Sequence, residues 1–525
     1  MIVSVDALGQ YGIITDQHAH KLPSNAWTSG KNVRFENGEV KRVAGYDSLA
    51  AFPALARWTL PVQSGNDIYW LICADETIYY WDGTSSIEIG QVYGSDAALW
   101  NGGVFGGIAV FNNGIDDPQY WVPSSDPVST LTNWPTNWKA RVIRPYKNLL
   151  IAMDMTIDGE RYQTQYIWSD VADPGALPDW DLDTPSSSSG SDVLEETQGA
   201  IIDGEPLRDY FVVYKEDATF ILQFIGGQFV ITNRMVLKTR GILTQRCAKE
   251  AYGKHYVLSN GDIFVHDGQN AESIADGRIR REVFDNIDPD NYVNSYVAPN
   301  FINDEMWFCY PEIGNTYPNK AAIYNWKDKT WGFRDLPNAS HIAYGVLPST
   351  ESRTIDSLTF SIDSWTDSID QRLYNPADRK NVMLAPDSEG LTPAADLTPS
   401  ASLEPSEGSS SLYSVDDGWE FSGTAAECYV ERRGLKPEKG DGVFHLRAIY
   451  PRGEGGEMTI RVGKQDSPSA SVSWASTHTY TPGSTSDKVD TRVTGRYFAI
   501  EVRFPESGPG ELQGIDFDIV KAGTR

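Results

Sequence analysis

Ile263-Phe264-Val265-His266-Asp267-Gly268 and Ile78-Tyr79-Tyr80-Trp81-Asp82-Gly83 are the stretches whose reading decides the fold. Each is a short run of β-branched and aromatic residues that stops on an Asp-Gly pair. Such a run favours an extended, partly buried backbone. The Asp carboxylate can accept the N–H groups of a tight turn while the Gly takes a positive φ, so each reads as a strand running into a turn. The Trp81 ring is expected to pack between neighbouring sheets. A sugar-stacking platform is the functional alternative for Trp81-Asp82, and the structural role is preferred for all six turn residues: Trp81, Asp82, Gly83, His266, Asp267 and Gly268.

The same texture extends outward. Tyr210 to Val213 and Phe220 to Phe224 precede Gly226-Gly227 and Phe229-Val230-Ile231. Glu305 to Tyr310, Ala322 to Trp326 and Thr330 to Phe333 follow. From about residue 52 to 345 almost nothing holds a helical period. Strand meanders recurring every ~40–50 residues mark a β-propeller, and roughly 300 residues hold about six blades at that period, although the blade number is not fixed by the text. The expectation is an all-β chain with a β-propeller-like main domain. A pair of β-sandwiches would give similar strand text.

The flanks read differently. Asn32-Val33-Arg34-Phe35-Glu36 and Glu39-Val40-Lys41-Arg42-Val43 are alternating runs joined at Asn37-Gly38, a hairpin signal because Asn-Gly tolerates positive φ at both central turn positions. Leu22 to Trp27 reads as an extended arm ending in a buried aromatic. Pro185 to Ser191 and the tract from Leu391 to Ser411 are polar, small-residue stretches that serve as loops or linkers. Beyond the second, Phe498, Ile500, Val502 and Phe504 alternate with Ala499, Glu501 and Arg503, and Ile515, Phe517 and Ile519 alternate with Asp516 and Asp518. Each is expected to be a strand with one wet face. With Met458 to Val462 and Val472 to Trp474 they predict a C-terminal β-sandwich. The expected division is an arm and hairpin over 1–51, the propeller-like domain over 52–345, a linker or insertion over 346–411, and the sandwich over 412–525.

Composition narrows the function. A chain of 525 residues carries a formal net charge of -28. That excludes wrapping nucleic acid, which needs a surplus of Lys and Arg on the contact face, and it disfavours anionic membranes. Solubility is the ordinary use of such acidity, and a channel wall to which DNA does not adhere is the sharper one. Four cysteines, Cys73, Cys247, Cys309 and Cys428, form no CxxC pair, the usage of a reduced compartment. The opening Met1 to Asp6 has no basic n-region, and no apolar run approaches the ~18 residues of a membrane span, so synthesis in cytoplasm without membrane insertion is expected.

Chemical signatures are weak. Asp179, Asp181 and Asp183 resemble a calcium loop only superficially, because Gly190 stands where the twelfth-position Glu belongs and no Gly follows Asp183. His18-Ala19-His20 has no further ligands nearby in sequence. Gly102-Gly103-Val104-Phe105-Gly106-Gly107 lacks the Lys-Ser/Thr of a phosphate loop and reads as a hairpin turn beside a strand. No nucleophile elbow or catalytic histidine pattern is present. No enzyme activity, cofactor or metal is expected.

A resemblance does carry weight. Leu22-Pro23-Ser24-Asn25-Ala26-Trp27 with Asn32-Val33-Arg34-Phe35 and Gly38 resembles the opening of tail nozzle (tail hub, tail tubular B-like) proteins of short-tailed, podovirus-type bacteriophages. The family's text is also resembled by Gly226 to Phe229, Gly241-Ile242-Leu243, Asp262 to Gln269 and Glu272 to Arg281. Trp307 to Pro311, Trp326-Lys327, Thr330-Trp331, Arg334 to Pro337, Gly495 to Ile500 and Gly514 to Ile519 complete the series, while residues 351 to 430 match poorly. The resemblance implies a homohexameric ring in the virion tail, containing propeller domains. It further implies docking to the adaptor (connector) ring and to tail fibre, tip or needle proteins, and passage of double-stranded DNA without sequence-specific binding. The family has no catalytic residues to carry over. Two other classes remain open: a glycan-binding or glycan-cleaving propeller used in host attachment, and a secreted adhesive propeller.

Overall fold

The computed structural model describes residues 2–65, 67–91, 99–123, 127–226, 230–348, 379–386, 408–437, 442–484 and 488–523. Among these the chain is all-β: one short helix, Arg280–Phe284, and two 3-10 turns interrupt the strands. Seven four-stranded antiparallel sheets account for the propeller-like character, and a six-stranded and a five-stranded sheet form the sandwich. Two compact units result, one of residues 48–245 and 339–414, the other of residues 1–47, 246–338 and 415–525.

The first of these holds five of the four-stranded sheets. Four are consecutive meanders: Ala56–Ser64 to Ser86–Gln91, Asn101–Phe105 to Ser129–Thr130, Trp138–Tyr146 to Gly190–Val193, and Ile201–Leu207 to Ile231–Leu237. The apolar side chains of one meander fill the space against the next. Val142, Met153 and Tyr166 from the third pack with Phe211, Val213 and Phe220 from the fourth, all fully buried. The Gly106-Gly107 turn joins Phe105 to its partner Ile108 with both glycines at positive φ, 56° and 91°, as the glycine-rich stretch predicted.

The fifth sheet of this unit is not a local meander. His341–Val346, Arg379–Pro386 and Ser410–Val415 are completed by Tyr46–Phe52 as the outer strand. A strand from the start of the chain thereby covers an edge that a late segment would leave open. Here the expected division needs correction. The range 346–411 contains a core strand with Val382 and Leu384 fully buried, and strand Ser410–Val415 is shared between the expected linker and the expected sandwich. The rest of the Ser/Pro-rich tract, to residue 407, and residues 349–378 lie outside the described residues, as do Gly227, Gln228 and Phe229.

The second unit contains two meanders, Ala248–Ala251 to Ala271–Ser273 and Tyr296–Asn300 to Thr330–Asp335, and the sandwich. One sandwich sheet runs Val33–Glu36, Glu39–Arg42, Gly510–Gly523, Val443–Gly455, Val489–Gly495, with Ile2–Asp6 also paired to Gly510–Gly523. The other runs Ser29–Lys31, Tyr429–Leu435, Tyr497–Arg503, Met458–Gln465, Ser473–Tyr480. The expected arm and hairpin over 1–51 are therefore not a separate region, since four of their strands belong to the sandwich. The hairpin itself forms as read, with Glu36 opposite Glu39 and Asn37 and Gly38 at φ 53° and 82°.

The strand alternation holds on its apolar side, with Phe498, Ile500 and Val502 buried. Its expected wet face is partly dry. Glu501 is only 2% exposed, because Tyr497–Arg503 is an interior strand and Arg461 and Arg503 close over its carboxylate at 2.5 and 2.7 Å. Asp516 and Asp518 do face out, held by Arg452 and Arg447.

Candidate functional site

The turns that identified the fold are built as their residues require. Asp82 Oδ1 accepts the N–H groups of Thr84 and Ser85 at 2.8 and 2.7 Å, and Gly83 sits at φ 97°. Asp267 Oδ1 accepts those of Gln269 and Asn270 at 2.9 and 2.8 Å, with Gly268 at φ 89°. Those backbone donors hold the Asp267 carboxyl below its usual range. Both turns join the third and fourth strands of their meanders. Asn325 does the same work without a glycine, accepting from Lys327 and Asp328 at 3.0 and 2.9 Å at the corresponding place. Another Asx-Gly turn, Asn113-Gly114, was not singled out in the sequence although Asn-Gly is its signal. Asn113 Oδ1 accepts from Ile115 and Asp116 at 2.9 and 2.8 Å.

The aromatic members of these turns are internal. Trp81 is 5% exposed and packs with Trp70 and Tyr79 of its own meander against Phe52, Val382 and Leu412 of the sheet closed by the N-terminal strand, so it offers no platform to a sugar. His266 is buried, and its Nδ1 accepts the Gly268 N–H at 3.2 Å. Burial first, then the neighbouring His255 ring 5.3 Å away, pushes His266 down to about 3 despite Asp267.

The weightier constellation lies in the unit that contains the sandwich. Arg34 of the hairpin donates to Glu305 at 2.5 and 3.2 Å and to Asp416 at 3.0 Å. Arg334 donates to the other oxygen of Asp416 at 2.6 Å and to the carbonyls of Ala44 and Gly45. Asn300 and Asn303 complete the Asp416 carboxylate at 2.9 and 2.8 Å, and the Trp307 indole N–H caps Glu305 at 2.9 Å. The Arg334 guanidinium lies 4.8 Å from the Trp307 ring centroid and 5.5 Å from that of Phe421. Burial alone would raise the Asp416 carboxyl, but Arg34 and Arg334 more than offset it and hold the group well below the usual carboxylate range. Both oxygens of Asp416 and of Glu305 accept hydrogen bonds, and such pairing is the condition under which buried charge fixes one arrangement of the chain.

Neighbouring bonds extend this clamp. Asn32, wholly buried at φ 56°, donates to Asp335 at 3.1 Å and to the Glu427 carbonyl at 2.9 Å, and its side-chain Oδ1 accepts the Asp335 N–H at 2.9 Å. Trp27 is buried and donates to the Leu8 carbonyl at 2.7 Å, as expected of the arm. Arg432, buried, reaches the carbonyls of Leu22 and Pro23 at 3.1 and 3.3 Å. Asp16 receives the N–H groups of Arg280 and Arg281 at 2.8 and 3.1 Å.

The charged groups of this clamp are paired with one another. Elsewhere, Asp181 accepts from Asp183 and Thr184, and Asp179 from Trp180, so two of the three aspartates shape their own loop. His18 and His20 stack at 5.9 Å beside the short turn Ala19–Lys21. The four cysteine thiols are buried and unbridged. Among the described residues no group of three metal-ligating side chains converges, and no helix is long and apolar enough to cross a membrane.

No family model matches the chain, and no curated protein matches its sequence. Among solved structures, Kluyveromyces lactis Hsv2 is similar with a TM-score of 0.31 at 12% identity, over 52% of this chain and 83% of that one. Kluyveromyces lactis Hsv2 complete loop 6CD gives 0.30 at 12%, over 52% and 84%. At TM-scores this low the likeness carries no argument, and the propeller-like class rests on the strand topology itself.

Proposed function

We propose that this chain is a structural virion protein, the subunit of a tail nozzle ring in a short-tailed bacteriophage, and that it works by assembling rather than by catalysis. One observation carries the reading. The stretches that resemble tail nozzle proteins are scattered from residue 22 to residue 519, yet all but Gly226 to Phe229 and Gly241 to Leu243 fall in the unit formed by residues 1–47, 246–338 and 415–525. Two of them bond directly there, Asn32 to Asp335, and Trp27 and Trp331 are tied to the same segment, Gly12-Ile13. A shared fold core explains why such dispersed text belongs together.

In this reading six copies form a ring that docks to the adaptor above and to fibre, tip or needle proteins below, located in the virion tail after synthesis in the bacterial cytoplasm. With -28 on each copy, an acidic wall would repel the DNA backbone and let it slide. Negative-stain imaging of the purified chain, alone and mixed with its adaptor, tests the proposal. Sixfold rings are expected, and persistent monomers in both samples would overturn it.

A further inference from the structure

A cavity of about 280 Å³ lies in the unit of residues 48–245 and 339–414, between the second and third meanders, with the Asn113-Gly114 turn as one wall. Its polar lining includes Lys139, Arg141, Asp154, Arg161 and Gln245. A β-bulge between Met153 and Met155 places Asp154 there, at φ 53° and with its side chain fully buried. Bulges of this kind redirect a side chain out of the regular alternation.

The charges at the cavity do not cancel. Arg161 occupies both oxygens of Asp154, at 2.8 and 2.6 Å, and Lys139 is paired with Asp117 at 2.6 Å. Arg141 makes a longer ion pair with the same Asp154 carboxylate, at 3.7 Å, with its side chain 44% exposed. Two guanidiniums thus share one carboxylate at the cavity, in a protein of net charge -28. Gln245 is 1% exposed, and neither its amide oxygen nor its amide nitrogen has a hydrogen-bond partner among the described residues. A buried amide with both ends open is costly and calls for a ligand.

We propose that this cavity binds the carboxylated ring of an acidic sugar. The carboxylate suits the fork of Arg141, only loosely paired with Asp154, and ring hydroxyls, which both donate and accept, suit the two ends of Gln245. Inorganic phosphate carries its P–OH on the same small centre as its charge, so it has no separate row of hydroxyls to meet both ends of Gln245 while its charge meets Arg141. The volume is just under the ~300–1,000 Å³ of sites for drug-sized ligands, so one ring enters and a chain does not. The inference is independent of ring assembly.

Calorimetric titration of the full chain with glucuronate, glucose and inorganic phosphate tests it. Saturable glucuronate binding is expected, with glucose and phosphate at least about tenfold weaker, because each lacks one half of the complement. Arg141→Gln should weaken glucuronate by roughly tenfold or more while leaving the melting temperature unchanged, since its side chain is half in solvent. Gln245→Leu should keep the fold, as it removes only unpaired groups, and should erase the preference over phosphate. Absence of glucuronate binding, equal binding of phosphate, or insensitivity to Arg141→Gln would each overturn the assignment.

Discussion

Asp416 concentrates the account at the level of single residues. Its carboxylate is 13% exposed and faces Arg34 and Arg334, so its loss strands two cations. Asp416→Ala should cost about 3–5 kcal/mol in urea unfolding, whereas Asp518→Ala, whose partner Arg447 is 55% exposed, should cost no more than about 1 kcal/mol. Equal losses would refute the clamp. The folded Asp416 value is depressed, so its contribution is complete above about pH 4 and is lost only as acid protonates the folded state. His266 acts in a separate window. Its folded value of about 3 lies below the ordinary ~6.5, so the unfolded chain takes up a proton that the folded chain refuses. Stability therefore falls as pH drops below about 6.5. Between pH 7 and 5 wild type should lose about 2 kcal/mol more than His266→Phe, and parallel losses in the two proteins would show that His266 is not held neutral. The Asp-Gly turns were legible because turn chemistry is local. The clamp was not, since residues 34, 305, 334 and 416 meet only through the fold.

Elements extend the same lesson. The hairpin at Asn37-Gly38 and the meanders could be read because their strands are neighbours in sequence. The seventh four-stranded sheet could not, because Tyr46–Phe52 is the outer strand of a sheet whose other strands begin near residue 341, one of them inside a range that reads as linker. The roughly six blades expected from local text thus became seven four-stranded sheets once that strand was placed. Glu501 escaped for a similar reason: alternation marks a wet face, but only cross-strand neighbours decide whether arginines cover it. A chain beginning at Pro53 loses four sandwich strands and the closing strand of that sheet together. It should aggregate on size-exclusion chromatography and lack a near-ultraviolet circular dichroism signal. A monomer with the native spectrum would show that the N-terminal strands are dispensable.

At the scale of the whole molecule, the buried polar clamp of one unit stands beside a formal net charge of -28 on the chain, and the proposed nozzle role would draw on both. The cavity beside Arg141, where Gln245 is buried with no partner among the described residues, lies outside the unit that carries most of the nozzle-like text. Native mass spectrometry of the full chain mixed with its adaptor tests the central claim most directly. The account predicts a complex holding six 58.2 kDa copies of this chain, and a spectrum of free monomers alone would contradict it.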